Sequence, residues 1–314
     1  MHLHKSWNPA AAKPNAMPYT AEISRQNPSC FLFLIDQSTS MQDVLDPTNV
    51  QPLAEPQTVD GRTYTHSGSG RTKAQGVADA VNKLLSTLII KSAKEEGIRP
   101  YFDIGVIGYG AQVGHAFAGP LAGREMVPIN DVGNSPARVE ERKKKTDDGA
   151  GGIVEQAVRF PVWFDPVANG GTPMCRALEL AKYTLESWVS KHPNSYPPIV
   201  INITDGEAND GDPEGAAQAV RDLATSDGNV LLYNIHMSAT EGDPIEFPDS
   251  EAGLPDQFAK LLFRMSSKLP SFTRSEAQRE GFRVSEETRG FVFKSDMVSL
   301  IRFLDIGTRP SDLR

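Results

Sequence analysis

The chain predicts an α/β fold, a doubly wound and mostly parallel sheet with helices on both faces. Three observations carry this expectation. Residues 30–35 (Cys-Phe-Leu-Phe-Leu-Ile) and 198–204 are apolar runs of strand length, and each is followed directly by an aspartate, Asp36 and Asp205. A run that is apolar at successive positions has no solvent face, as in a strand buried on both sides in a parallel sheet. Between the strand runs lie segments with apolar residues at helical spacing, and regular alternation of the two winds βα units into one sheet.

Taken in order, residues 1–28 carry Pro9, Pro14, Pro18 and Pro28 with little periodicity and read as an extended N-terminal arm. Residues 29–314 read as a single domain, long for its class and therefore carrying inserts at about 42–70 and 111–170. The first strand is 30–35. Residues 42–70 are rich in Pro, Gly, Thr and Asp and form a loop. A helix follows over 72–96, with Val77, Val81, Leu84, Leu85, Leu88 and Ile89 at the 3.6 period and Gly97 as its stop. Residues 101–109 form the next strand. Within 111–170, short strands are expected at 113–117, 125–129 and 158–164. The mixed-sign stretch 138–145 reads as part of a solvated segment over 135–152 rather than a basic binding site. Gly170-Gly171-Thr172-Pro173 opens a helix to 191, with Thr172 as its cap and Pro173 at the first helical position. Then come a strand at 198–204, an amphipathic helix at 213–225, a strand at 229–236, a helix at 255–269, a strand at 290–293 and a last helix at 295–304.

Net charge of −8 argues against nucleic acid or an anionic membrane as the main partner. The two cysteines, Cys30 and Cys175, sit in apolar or helical contexts and read as small buried hydrophobes rather than a disulfide framework. Residues 1–28 lack an apolar signal core, and no run approaches the roughly 20 apolar residues of a membrane span. A cytoplasmic protein is the expectation. His66, His115, His192 and His236 show no ligand spacing. The glycines at 105, 108 and 110 lie within a strand with no following helix, so a dinucleotide fingerprint is a poor reading.

In open α/β sheets, ligands bind beyond the carboxyl ends of the strands. Asp36, Ser38 and Ser40 follow the first strand, Thr172 precedes a helix, and Asp205 follows the 198–204 strand. Any one of these segments alone reads as loop capping. Together they supply two carboxylates and three hydroxyls without His or Cys, a donor set for Mg²⁺ or Mn²⁺, ahead of Ca²⁺ and unlike zinc or copper sites. Asp43 and Glu207 are candidates for supporting groups around the ligands. Asp210 and Asp212 read as a solvated acidic loop, because a calcium-loop register from Asp205 places Ala216 where the bidentate Glu belongs.

With Asp36-x-Ser38-x-Ser40, a distant Thr172 and a distant Asp205, the chain resembles a von Willebrand factor A domain with a metal-ion-dependent adhesion site. Gly-Gly-Thr-Pro and Thr-Asp-Gly are similar to bacterial cytosolic members, and the resemblance covers about residues 29–306. It implies a Rossmann-like sheet with one antiparallel edge strand. It also implies a cation held by the five residues, directly or through water, and completed by an acidic residue of a partner protein. It further implies an adaptor role, as in bacterial proteins acting beside AAA+ ATPases or kinase and phosphatase partners in stress or defence systems. The longer inserts would form the partner-selecting rim. An enzyme is not expected. A Mg²⁺-dependent phosphohydrolase on this sheet needs a general acid two residues after Asp36, where Ser38 stands, and no other nucleophile–base pair is evident. A metal-free scaffold is the remaining alternative.

Overall fold

A computed structural model describes residues 18–45, 57–59, 62–64, 70–147, 153–238 and 243–308. The expected arm over 1–17 and most of the 42–70 loop lie outside these residues.

The sheet is mainly parallel. Its centre is β1 (Ser29–Asp36), flanked by β2 (Phe102–Tyr109) and β7 (Ile199–Thr204), both parallel to it. Beyond β7 lie β8 (Leu231–Met237) and β10 (Phe291–Ser295), also parallel. Within this sheet, antiparallel pairing is confined to short strands. β3 (Val113–His115) and β4 (Val127–Pro128) pair with β2, and β9 (Ile245–Glu246) pairs with β10 at the other edge. The resulting order is β9-β10-β8-β7-β1-β2-β3, with β4 also on β2.

Side chains alternate across a strand, so β1 feeds two cores. Phe31, Phe33 and Ile35 enter one layer with α1 (Lys73–Ser92), α6 (Ser271–Arg279) and α7 (Met297–Gly307). Cys30, Leu32 and Leu34 enter the other, with α3 (Met174–Lys191), α4 (Glu214–Arg221) and α5 (Gln257–Met265). The second layer carries a polar thread. Asn202, inside the apolar run of β7, accepts from the Tyr109 hydroxyl at 2.7 Å and donates to Asn234 at 3.0 Å, which in turn donates to Ser266. Fully partnered, these groups are tolerated in a dry core.

Local differences from the sequence reading have local causes. α1 starts on a capping box between Thr72 and Gln75 but stops at Ser92, because residues 93–98 turn back as a tight hairpin with Gly97 at φ 117°. The helix expected to reach 269 ends at Met265, and α6 begins after Pro270. Within the segment expected to be solvated, 135–152, the described residues 138–147 form a strand whose side chains over 138–142 are exposed or half-buried. β5 (Arg138–Asp147) pairs antiparallel with β6 (Ile153–Val162). Arg138, Glu140 and Arg142 share one face of β5 and form ion pairs among themselves and with Asp165 and, on α1, Asp79. The mixed charges therefore fasten the hairpin to its own domain. A short helix α2 (Ile129–Asn134) connects β4 to β5. Residues 18–28 lie along the domain: the Tyr19, Thr20 and Ala21 amides donate to Asp227, and Ile23 is buried.

From β1 the chain moves through α1 to β2 on one side, then returns across β1 through α3 to β7 and outward to β8 and β10. The winding direction reverses between β1 and β7, which opens a crevice at their carboxyl ends. Asp36 ends the first of these strands and Asp205 follows the second.

Candidate functional site

The loop after β1 is held from within. The Asp36 Oδ1 accepts from the Ser38 amide at 2.8 Å, and Oδ2 accepts from the Thr204 hydroxyl of β7 at 2.7 Å. Only 1% of Asp36 is exposed. Burial pushes its carboxyl up to about 6, against the hydrogen bonds from Ser38 and Thr204 that lower it and with the help of the neighbouring Asp205 charge. It is a carboxylate short of positive charge.

Thr172 arrives on a strap. The Gln37 carbonyl accepts from the Asn169 amide at 2.6 Å, the Gly170 carbonyl accepts from the Thr39 amide at 3.0 Å, and Gln42 donates to the Ala168 carbonyl at 2.8 Å. This close docking needs glycine twice. Gly170 has φ 90° and abuts Ala111, and a Cβ on Gly110 would lie 2.6 Å from the carbonyls of both Asn169 and Gln37. Thr172 is not the helix cap that the sequence implied. Pro173 holds the cap position with no side-chain bond, and the Cys175 and Arg176 amides donate instead to Asp210 at 3.0 Å each. Asp210, read from sequence as solvated, is the group that stabilises the positive end of α3. The Thr172 hydroxyl faces Gly206, 3.7 Å from where a Cβ would stand there.

Asp205 closes the cluster. Its Oδ1 accepts from the Ser40 hydroxyl at 2.7 Å, and the Ser40 and Ser38 hydroxyls are 3.0 Å apart. The hydrogen bonds thus join Asp36, Ser38, Ser40 and Asp205 into one chain, with Thr172 beside Gly206. Asp43 reaches the cluster only through another residue, described next. Glu207 is exposed on the following turn and makes none of the hydrogen bonds that knit the cluster.

Sequence reasoning missed Lys73. Its ammonium donates to Asp205 Oδ2 at 2.9 Å and to Asp43 Oδ2 at 3.0 Å. The Asp205 side chain is fully buried and that of Lys73 is 8% exposed. Desolvation opposes the Lys73 charge, but the bonds and charges of Asp205 and Asp43 outweigh it and hold its pKa above the ordinary value. Breaking such a pair by removing one partner typically costs about 3–5 kcal/mol. A signal was available: Lys73 is the first residue of α1, where the helix dipole disfavours a cation. Two further neighbours were missed. Thr204 braces Asp36, and His236, at the end of β8, stacks on Phe293 at 4.5 Å and accepts from the Lys294 amide. Burial pushes His236 down to about 4, so it is neutral at pH 7.

The donor set fits a hard cation. All its atoms are oxygen, one carboxylate is desolvated and under-compensated, and the Ser40 hydroxyl bonds the second carboxylate, with the Ser38 hydroxyl one hydrogen bond further on. Among the described residues no group of three or more His, Cys, Asp and Glu side chains is placed to hold a metal ion. No described helix is long and apolar enough to cross a membrane.

No protein-family model matches the chain, and no curated protein sequence matches it. Among solved structures it is similar to proximal thread matrix protein 1 of the mussel byssus, at 16% identity and TM-score 0.41, over 91% of this chain and 48% of that one. It is also similar to a three-domain structure of the type V pili tip protein Mfa5 from Porphyromonas gingivalis, at 12% identity and TM-score 0.30, over 58% and 20% of the two chains. The separate vWF domain of Mfa5 matches at 11% identity and TM-score 0.27, over 58% and 39%. The chain thus spans less than half the length of each of these structures. At such scores the likeness carries no argument about function, and the α/β assignment stands on the sheet itself.

Proposed function

We propose that this chain is a metal-dependent protein-binding module of the von Willebrand factor A type. Asp36, Ser38, Ser40, Thr172 and Asp205 would hold Mg²⁺ or Mn²⁺, and an acidic side chain of a partner protein would complete the coordination. The observation that carries this reading is the meeting of the segments after β1 and β7 at the switch point between them, through the Ser40–Asp205 contact at 2.7 Å, with Thr172 of a third segment beside Gly206. The bound cation would supply electrophilic attraction for an outside carboxylate. The inserts at about 42–70 and 111–170 would select the partner.

The phosphohydrolase alternative requires a free Asp36 oxygen as nucleophile. Both Asp36 oxygens accept hydrogen bonds and the side chain is buried, which favours a holding role. Mn²⁺ titration by calorimetry tests the proposal. Wild type should bind one equivalent, Ser38→Ala/Ser40→Ala should bind at least tenfold more weakly, and capture of a partner should require the metal. Equal binding by the double variant would sink the five-residue site, and Mg²⁺-dependent phosphatase turnover lost in Asp36→Asn would replace it with an enzyme.

A further inference from the structure

The site contains a cation of its own. The Lys73 ammonium lies between Asp205 and Asp43, and it meets Asp205 through the oxygen that Ser40 does not use. Only the Asp43 end of this bridge opens to solvent, with 62% of that side chain exposed against none of Asp205. Asp36, Asp205 and Asp43 bring three negative charges to the crevice and its rim, and Lys73, shared between Asp205 and Asp43, returns one. A divalent ion entering beside Asp36 and Ser40 therefore meets a carboxylate already half neutralised, and a like charge one hydrogen bond beyond it. Water screens such repulsion poorly in a buried setting. The helix start adds to it, since Lys73 is placed at the positive end of α1.

We propose that Lys73 is a tethered counter-cation that satisfies Asp205 in the metal-free protein and competes electrostatically with a divalent ion, making occupancy of the site conditional on metal concentration. This rests on the metal reading above. It assigns Lys73 a specific part: it keeps the empty crevice folded, and it weakens the ion's hold. The alternative role, in which Lys73 merely positions Asp205 for the metal, predicts the opposite sign on substitution.

The test is Mn²⁺ calorimetry on the full chain at pH 7.5, comparing wild type with Lys73→Gln, which keeps an amide donor without the charge, and with Lys73→Met. The expected result is a lower melting temperature without metal, together with Mn²⁺ binding at least tenfold tighter, equivalent to about 1.4 kcal/mol. Should Lys73→Met fail to fold, Lys73→Gln decides alone. Tighter binding by a less stable protein is an outcome that a purely structural lysine does not produce. If wild type binds Mn²⁺ and Lys73→Gln binds equally or more weakly, the counter-cation role is overturned and the metal site stands. If neither wild type nor Lys73→Gln binds Mn²⁺, the metal reading fails and the counter-cation role falls with it.

Discussion

Replacing Asp36 by Asn should expose a pH dependence that the wild-type protein conceals. Asp36 is raised from 3.8 to about 6 by burial, so it contributes stability that is fully present below pH 3.8 and lost as pH rises through 6. His236 is lowered from 6.5 to about 4 by burial, so it contributes stability that is present above pH 6.5 and lost as pH falls through 4. At 1.36 kcal/mol for each pH unit, the two displacements are each worth about 3 kcal/mol, with opposite signs over nearly the same interval. In metal-free wild type they largely cancel. Asn keeps the shape and one acceptor for the Ser38 amide, and the Thr204 hydroxyl can still donate to the Gly206 carbonyl at 3.0 Å. Asp36→Asn therefore leaves the His236 contribution unopposed. Urea unfolding in a metal-free buffer series from pH 7 to pH 4 should show the variant losing about 3 kcal/mol relative to wild type across that range. His236→Gln should show the reverse, gaining on wild type toward acid. Titrating groups remote from Asp36 and His236 are common to all three proteins and drop out of the differences. A wild-type-minus-variant difference that is flat with pH for Asp36→Asn would refute the buried-carboxylate account of the site.

Other substitutions probe the framework that carries the site. Asn82 of α1 is 2% exposed, accepts from the Trp163 and Phe164 amides and donates to the Phe164 carbonyl. Asn82→Ala strands three buried backbone groups and should cost about 2–4 kcal/mol in urea unfolding. Gly110→Ala puts a methyl group against the Gln37 and Asn169 carbonyls, so it should loosen the strap that delivers Thr172 and weaken Mn²⁺ binding severalfold in calorimetry. Asp210→Ala removes the acceptor for two amides of the first turn of α3 and should cost about 1–2 kcal/mol. The Asp210 carboxyl is only partly buried; its desolvation is outweighed by the Arg176 and Cys175 amides, which hold its pKa below the ordinary value. That cost should therefore shrink in acid as wild-type Asp210 protonates, readable as converging unfolding midpoints below pH 4.

Much of the scaffold is legible in one dimension because burial on both faces leaves a periodic mark. β1, β2, β7 and β8 are mostly apolar along both faces, and α1 and α3 repeat their apolar stripes at helical spacing. The strand expected at 158–164 is the end of β6, but its partner β5 was hidden because its alternating charges face one another and Asp79, so a pattern suited to water serves an intramolecular network. The boundary of α5 was misjudged because apolar spacing continues through residues where the backbone has already turned toward Pro270.

The sequence by itself determined that oxygen-bearing side chains gather at the strand ends. Oxygen groups after two buried strands and before a helix are readable from residue type and spacing, since a strand's end and a helix's start point at the same crevice. Only the tertiary structure decided how those groups are used. It released Thr172 from capping by bringing Asp210 to α3, gave both Asp36 oxygens partners, and placed Lys73 against Asp205 across 132 positions of chain. Contacts between residues so far apart leave no periodic trace, because they depend on how strands are ordered in the sheet. The fold therefore set the charge balance of the site.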